Sequence, residues 1–170
     1  VEDLLLLARL DQSREMESEP VDVKNLIEEC VASARAAGPD HPITLTLPQD
    51  DLFILGDSNR IHQVVSNLLA NARTHTPTGT KINIAASQDE RGTVIEVSDQ
   101  GPGLSVEDQA RIFERFYRAD PSRVRNGGEG SGLGLSIVDA VMRSHGGHVS
   151  VDSKLGEGST FTLHFPLRAE

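Results

Sequence analysis

Two asparagines, Asn67 and Asn71, lie one helical turn apart in a segment whose pattern predicts a long amphipathic helix. Beside them runs an apolar stripe with the spacing of one helix face: Ile61, Val64, Val65, Leu68, Leu69 and Ala72. Asparagine is a mediocre helix former because its amide competes with the backbone, so a pair beside the stripe requires an explanation. Their oxygens could be neutral ligands for a hard cation such as Mg²⁺, which keeps waters and substrate phosphates. Hydrogen bonds to a neighbouring loop are the structural alternative.

A carboxylate, Asp99, stands at the end of a predicted strand and is followed by Gly101 and Gly103. A buried carboxylate is unfavourable unless it is paired, and this one could accept from an exocyclic amine such as that of adenine. Glycines here would let a ligand approach the backbone. The motif alone is weak because Asp-x-Gly is common in ordinary turns. Val106 replaces the third glycine of a dinucleotide-binding fingerprint, which disfavours that fold.

A second glycine-rich segment precedes the helix predicted to end at Ser144. Its glycines alternate: Gly130, Gly132 and Gly134. The backbone N–H groups at a helix start form an anion site. The spacing differs from a P-loop and no lysine follows it. The loop before it carries three arginines, Arg118, Arg123 and Arg125, which suit a mobile lid over phosphates. A flexible loop is the alternative, and a third turn, Gly156 to Thr160, by itself predicts only a hairpin.

The remaining pattern predicts the elements that would position these residues. Asp22 can cap a helix that Gly38-Pro39 ends, and Asp57 or Ser58 can cap the asparagine helix, which ends near Thr74. A short helix and its exit are predicted over Val106 to Phe116, and a loop over Asp120 to Gly130. The predicted strands are Ile43 to Leu47, Leu52 to Leu55, Thr80 to Ser87, Thr93 to Asp99, Val149 to Asp152 and Thr160 to Phe165. This order predicts an α+β fold, with a mixed, mostly antiparallel sheet covered by helices on one face.

Composition narrows the functional classes. The formal net charge of −10 disfavours a nucleic-acid surface, although five arginines between Arg111 and Arg125 form a local exception. Cys30 is the only cysteine, so an intrachain disulfide is excluded. No signal peptide or apolar run near the length of a membrane span occurs, which points to a reduced, cytosolic setting. His145 and His148 flank a glycine turn without further zinc ligands.

Five segments, in order, resemble the asparagine box, the first glycine box, the phenylalanine box and the second and third glycine boxes of bacterial sensor histidine kinases. They are NLLANARTHTPTG, DQGPGL, IFERFYRAD, GEGSGLGLSIV and GEGSTF. The match covers roughly Asp57 to Phe165. The resemblance implies the two-layer Bergerat ATP-binding fold, which DNA gyrase B subunits and MutL share. It also implies Mg²⁺ with ATP as the ligand, ADP as a second nucleotide ligand, and transfer of the γ-phosphate to a histidine.

The resemblance also implies roles for individual residues. Asn71 looks like the Mg²⁺ ligand with Asn67 beside it, and Asp99 looks like the acceptor of the adenine amino group. Arg118 resembles the phosphate-reaching arginine, and His75 stands where the family usually has an aromatic packed on adenine. Thr160 is expected to add a water-mediated contact. The other implied nucleotide-binding residues are Gly101, Gly103, Tyr117, Gly130, Ser131, Gly132, Leu133, Gly134 and Leu135.

Two positions depart from the family pattern or from its ATPase relatives. Thr74 stands where the family often has Lys or Arg, and Arg73, one position earlier, points about 100° away on the helix. Asn67 stands where the ATPase relatives have a glutamate that activates water, and an amide cannot be a general base. The second departure favours a kinase with slow ATP hydrolysis over a hydrolase.

The phosphoacceptor motif of the family has no counterpart in this chain, and VEDLLLLARLDQ resembles only the end of the second dimerisation helix. We therefore expect residues 1–20 to be a stub of the dimerisation domain and residues 21–170 to be the ATP-binding domain. The expected partners are that dimerisation domain and a response regulator, with no nucleic acid and no direct membrane contact. The expected location is the cytoplasmic part of a membrane-anchored sensor. An anti-sigma-factor-type serine kinase and a catalytically inactive partner-binding module are the alternatives.

Overall fold

The computed structural model describes residues 18–114, 117 and 134–167. Within these ranges the helices are α1 (Val23–Ala37), α2 (Ser58–Thr74), α3 (Val106–Arg111) and α4 (Gly134–Ser144). The strands are β1 (Glu19–Asp22), β2 (Ile43–Thr46), β3 (Phe53–Gly56), β4 (Ile82–Asp89), β5 (Gly92–Asp99), β6 (His148–Lys154) and β7 (Gly158–Pro166). No helix in the described ranges has the length and apolar character that a membrane crossing requires.

The main sheet has five strands in the order β2-β4-β5-β7-β6. β2 runs parallel to β4, and the other neighbours are antiparallel, as the sequence predicts. Ile84, Val97 and Phe161 stand opposite one another across three strands and are buried, because alternate residues of a strand face the same side. The helices cover this buried face, with α2 and α4 packed on the sheet and α1 packed on α2. The predicted two-layer α+β architecture is confirmed.

The asparagine-bearing helix α2 forms as its sequence predicts. Its N-cap is Asp57, whose carboxylate accepts from the backbone N–H groups of Asn59 and Arg60. Every residue of the predicted apolar stripe is buried: Ile61, Val64, Val65, Leu68, Leu69 and Ala72. Each large aliphatic side chain of this set contributes about 1.5–3 kcal/mol by leaving water. The stripe therefore fixes which side of α2 faces the core, and it leaves the asparagines at the border.

A two-stranded ribbon of β1 and β3 is the element that the sequence does not predict. The predicted strands begin only at Ile43, whereas Glu19–Asp22 pairs antiparallel with β3. Val21 lies opposite Ile54 and is buried. The pairing joins distant parts of the chain, so no local periodicity reveals it. Residues 1–17 of the expected dimerisation-domain stub and the loop predicted for Asp120 to Gly130 lie outside the described residues.

The other predicted boundaries need small changes. α3 ends at Arg111, within the predicted segment, and the last helix is described from Gly134 to its predicted end at Ser144. β4 and β5 extend to Asp89 and Gly92, so the turn between them is tighter than predicted. These differences do not move the candidate site residues between elements.

Candidate nucleotide-binding site

The two asparagines of α2 have different surroundings. Asn67 is half-buried, and its Nδ2 donates to the backbone oxygen of Gly134 over 3.2 Å. This contact ties α2 to the first residue of α4. Asn71 is also half-buried, yet its carboxamide has no hydrogen-bond partner within residues 18–114, 117 and 134–167. A structural hydrogen bond to another part of the chain therefore accounts for Asn67, whereas Asn71 keeps its oxygen available for a ligand.

At the last turn of α2, the side chains of Arg73, Thr74 and His75 differ in exposure and in what they contact. His75 is exposed and is the C-cap, and its backbone N–H donates to the oxygen of Asn71 over 3.0 Å. Thr74 is half-buried. The Arg73 side chain packs over Gly38 at the end of α1, where an added Cβ would lie 2.7 Å from Nη1. This position supports the expectation that Arg73 does not take the place of the Lys or Arg that the family often has at position 74.

Asp99 ends β5 and holds its carboxylate between two backbone donors. The N–H of Gly101 donates to Oδ1 over 2.9 Å, and the N–H of Ser159 donates to the same carboxylate. Burial removes water from the group and raises the pKa of Asp99, while the two backbone hydrogen bonds oppose that rise. No cationic side chain pairs with it in the described part of the chain. The carboxylate is thus fixed in place and can still accept from a ligand N–H group.

The glycines around Asp99 allow the protein to pack on itself. Gly103 has φ +75°, and a Cβ there would overlap the carbonyl oxygen of Lys154. Gly158 has φ +100°, and a Cβ there would overlap the carbonyl oxygen of Asp99. A Cβ on Gly101 would overlap the methyl group of Thr76. The structure thus gives these glycines a packing role, because they let the turn after β5 lie against the β6–β7 turn and Thr76.

The structure places Thr160 and Ser159 on different faces of the sheet. Thr160 stands opposite Ser98, and the two hydroxyl oxygens are 3.1 Å apart. Asp99 stands opposite Ser159, which is buried and lies 2.9 Å from the hydroxyl of Ser153. Since alternate residues face opposite sides of a sheet, the Thr160 hydroxyl lies on the face away from Asp99. The register therefore favours Ser159, which the sequence analysis did not single out, over Thr160 as the side chain beside Asp99.

Tyr117 is held against α3. Its hydroxyl donates to Asp108, and the guanidinium of Arg111 lies 4.7 Å from the centre of its ring. The hydrogen bond to the Asp108 carboxylate, followed by burial, raises the pKa of Tyr117. The five remaining candidates, Arg118, Gly130, Ser131, Gly132 and Leu133, lie outside the described residues. Gly134 and Leu135 open α4, and Leu135 packs against the core.

The donor set suits one kind of metal. In the described part of the chain, no group of three or more His, Cys, Asp or Glu side chains could hold an ion. A transition-metal cage of such side chains is thus absent from these residues. The half-buried oxygen of Asn71 fits Mg²⁺, which binds through few protein oxygens together with waters and substrate phosphates.

Residues 56–169 match the family of histidine kinase-, DNA gyrase B-, and HSP90-like ATPases. The chain belongs to this family. The match includes α2, the turn after β5, α4 and the β6–β7 hairpin, and so it covers every candidate residue named above. The resemblance predicted from the five sequence segments is confirmed, and with it the Bergerat fold.

Relatives within the family are sensor histidine kinases. The chain is 48% identical, over 98% of its length, to the probable sensor histidine kinase TcrY of Mycobacterium tuberculosis, of which it spans 35%. It is 37% identical, over 98% of its length, to RppB of Synechocystis sp., of which it spans 37%. The chain therefore spans about a third of the length of these curated relatives.

Solved structures of the family superpose on the fold. The mycobacterial sensor histidine kinase MprB gives a TM-score of 0.76 at 30% identity, covering 88% of this chain and 100% of that one. Full-length ShkA in complex with AMPPNP gives 0.79 at 30% identity, covering 99% of this chain and 36% of that one. A nucleotide-free catalytic domain of ThkA gives 0.75 at 25% identity, covering 89% and 97%.

Proposed function

We propose that residues 21–170 bind Mg-ATP and donate its γ-phosphate to a histidine on a dimerisation domain, for relay to a response regulator. The observation that carries the proposal is that this family fold contains two acceptor groups that can still bind a ligand. Asp99 has only backbone donors among the described residues, and Asn71 has a carboxamide with no described partner. One acceptor suits the adenine amino group, and the other suits Mg²⁺ on the phosphates.

Each part of the proposed site uses groups of the chain in a defined way. The Asp99 carboxylate accepts from the exocyclic amine, and Ser159 lines the same face of the sheet beside it. Asn71 holds the metal, and bound Mg²⁺ supplies positive charge to the phosphate oxygens. The start of α4 at Gly134 offers backbone N–H groups to phosphate. Arg118 is the proposed phosphate-reaching side chain of the lid.

The reaction favoured by these residues is transfer to a protein acceptor rather than hydrolysis. Phosphoryl transfer depends chiefly on positioning and on stabilising charge. Asn67 occupies the position where the ATPase relatives have a glutamate, and its amide already donates to Gly134. An amide cannot accept a proton from water at neutral pH, so slow ATP hydrolysis is expected.

The acceptor histidine is proposed to lie outside this chain. Residues 1–20 are the proposed stub of the dimerisation domain, and a membrane-anchored sensor would hold the catalytic domain in the cytoplasm. His41 and His145 are buried and hydrogen-bonded within the domain, which makes them poor phosphoacceptors. We expect the isolated chain to bind nucleotide without labelling itself. A dimerisation domain carrying the acceptor would be the partner that receives the phosphate.

Calorimetric titration with Mg-ADP and Mg-ATP tests the binding step. Asp99→Asn should abolish binding of both nucleotides, and Asn71→Ala should weaken binding and remove its dependence on Mg²⁺. Matched controls on the opposite face of the sheet are Asp152→Asn and Asn83→Ala, which should bind like the unaltered chain. Absence of binding by the unaltered chain would contradict the proposal.

Labelling with γ-phosphate-labelled ATP tests the transfer step. The chain alone should stay unlabelled, and added dimerisation domain should gain an acid-labile phosphate. An acid-stable label on an added anti-anti-sigma protein would instead identify a serine kinase. Nucleotide binding with no transfer to any of these acceptors would favour the alternative of a catalytically inactive, partner-binding module.

A further inference from the structure

His41 and Thr76 form a buried polar pair behind the candidate adenine site. His41 lies between α1 and β2, and Thr76 follows the C-cap of α2; their exposed fractions are 8% and 6%. The Nε2 atom of His41 lies 3.0 Å from the Thr76 hydroxyl oxygen and 3.4 Å from the Thr76 backbone oxygen. Neither residue is among those that the sequence resemblance assigns to nucleotide binding.

The direction of these hydrogen bonds follows from their partners. The Thr76 hydroxyl donates to the backbone oxygen of Ala72 over 2.6 Å, because a carbonyl oxygen can only accept. Its oxygen therefore accepts from His41, so the hydrogen must be on Nε2. With its hydroxyl engaged on both sides, the Thr76 side chain is locked in one rotamer.

That rotamer brings Thr76 against the turn that holds Asp99. The Thr76 methyl group occupies the space that a side chain on Gly101 would need. Gly101 in turn donates its N–H to Oδ1 of Asp99 over 2.9 Å. A continuous series of contacts thus runs from the buried imidazole of His41, through Thr76 and Gly101, to the proposed adenine acceptor.

We propose that His41 and Thr76 are positioning residues that set the Asp99 carboxylate for recognition of the adenine amino group. The proposal rests on the proposed nucleotide-binding function and adds the residues that determine its base selectivity. Neither side chain touches the ligand in this role. Thr76 limits where Gly101 can move, and His41 limits how Thr76 can rotate. Loss of either restraint would let the carboxylate shift, which weakens its contact with the amine more than the contacts with sugar and phosphates.

Selectivity is measured as the ratio of the dissociation constants for two ligands. One is ADP, and the other is the diphosphate of purine riboside, which lacks the 6-amino group. In the unaltered chain, ADP should bind more tightly. Thr76→Val keeps the shape of the side chain and removes the hydroxyl, and it should reduce the selectivity ratio by about tenfold, the size of one hydrogen bond. His41→Leu should do the same, whereas His41→Gln, which can retain an N–H donor, should keep most of the selectivity.

The matched control is Thr93→Val. Thr93 is 2% exposed, lies on β5 like Asp99, and accepts from Gln88 over 2.9 Å. It stands six residues from Asp99, about 20 Å along the strand. The same chemical change there should lower stability without changing the selectivity ratio. Equal loss of selectivity in Thr93→Val and Thr76→Val would overturn the proposal, since it would reflect general loosening of the domain.

Two further outcomes separate the proposal from the function on which it rests. Equal binding of both ligands by the unaltered chain would contradict the proposed recognition of the adenine amino group by Asp99. A selective unaltered chain whose Thr76→Val variant stays equally selective would overturn the positioning role alone. Thr76→Ser loses only the methyl group and stays close to the native fold, so it answers the question if Thr76→Val does not fold. It should lose selectivity because Gly101 is no longer restrained.

Discussion

The backbone N–H of Asp57 donates to Nε2 of His145 over 3.1 Å, and this bond joins the start of α2 to the end of α4. The other ring nitrogen, Nδ1, lies 2.9 Å from the backbone oxygen of Val141 and therefore donates to it. His145 is 2% exposed. Among the described residues, hydrogen bonds thus join the two helices that carry Asn71 and Gly134 both here and through Asn67.

Replacement of His145 by leucine should lower the free energy of unfolding by about 1–3 kcal/mol. The variant leaves the Asp57 N–H without its present partner in the interior, whereas the Val141 oxygen keeps the backbone N–H of residue 145. Urea denaturation measures the change. His148→Leu is the control because His148 is an exposed residue of β6, and it should stay within about 0.5 kcal/mol of the unaltered chain. Equal effects at both positions would show that the buried contacts of His145 add nothing.

Asp99 should make the unliganded domain less stable as the pH rises. Burial raises its folded-state pKa above the ordinary value of 3.8, so the folded chain holds this proton more tightly than the unfolded chain. Linkage then requires the contribution of Asp99 to stability to fall as the pH rises from about 3.8 through the folded pKa. Asp99→Asn, which has no such charge, should gain stability relative to the unaltered chain over that interval.

The measurement is the free energy of unfolding of both chains at several pH values. Asp99→Asn should also lose nucleotide binding. Asp99 would then lower the stability of the free domain and be required for binding of the nucleotide. Asp152→Asn provides the comparison, because Asp152 is an exposed aspartate of β6. A difference between Asp99→Asn and the unaltered chain that stays constant with pH would contradict the direction of the Asp99 pKa shift.

Gly103→Ala should be more destabilising than Gly79→Ala. Both glycines have positive φ, +75° and +92°, so both substitutions carry backbone strain of about 1–2 kcal/mol. Only at Gly103 would the new Cβ also overlap a backbone atom, the oxygen of Lys154, whereas at Gly79 it would meet no described atom within 4 Å. The difference between the two variants in urea denaturation isolates the overlap. Equal destabilisation would mean that the β6–β7 turn moves aside at no cost.

Cys30 should react slowly with a thiol reagent while the chain is folded. It is 1% exposed between α1 and α2, and burial raises the pKa of its thiol. Both effects reduce access to a reactive thiolate. As the only cysteine of the chain, it gives one unambiguous signal with a chromogenic disulfide. The rate in denaturant should exceed the native rate by orders of magnitude, and similar rates would show that α1 separates readily from α2.

Local chemistry is enough to predict the helices and most strands. Asp22 and Asp57 cap α1 and α2 because the capping hydrogen bonds reach only two or three residues along the chain. The apolar stripe of α2 is buried as its periodicity predicts. The ordered glycine and asparagine segments are also sufficient to identify the family, which the match over residues 56–169 confirms.

Strand register at the candidate site is partly encoded in the alternation of β7. The apolar residues Phe161, Leu163 and Phe165 alternate along this strand and face the core. By the same alternation, Ser159 shares their face and Thr160 does not. The period of two residues therefore favours Ser159 over Thr160 as the side chain next to Asp99, whereas the expectation for Thr160 followed the motif rather than the period.

The sequence by itself determined the helix caps, the core-facing stripe and the family, and it singled out Asn71 and Asp99 as the proposed ligand acceptors. The tertiary structure alone decided the β1–β3 pairing, the atoms that fill the space beside Gly101 and Gly103, and the contacts of Asn67 and Thr76. The physical reason is distance along the chain. Capping and periodicity act between neighbouring residues, whereas these contacts join segments far apart in sequence, and only packing of the whole core brings them together.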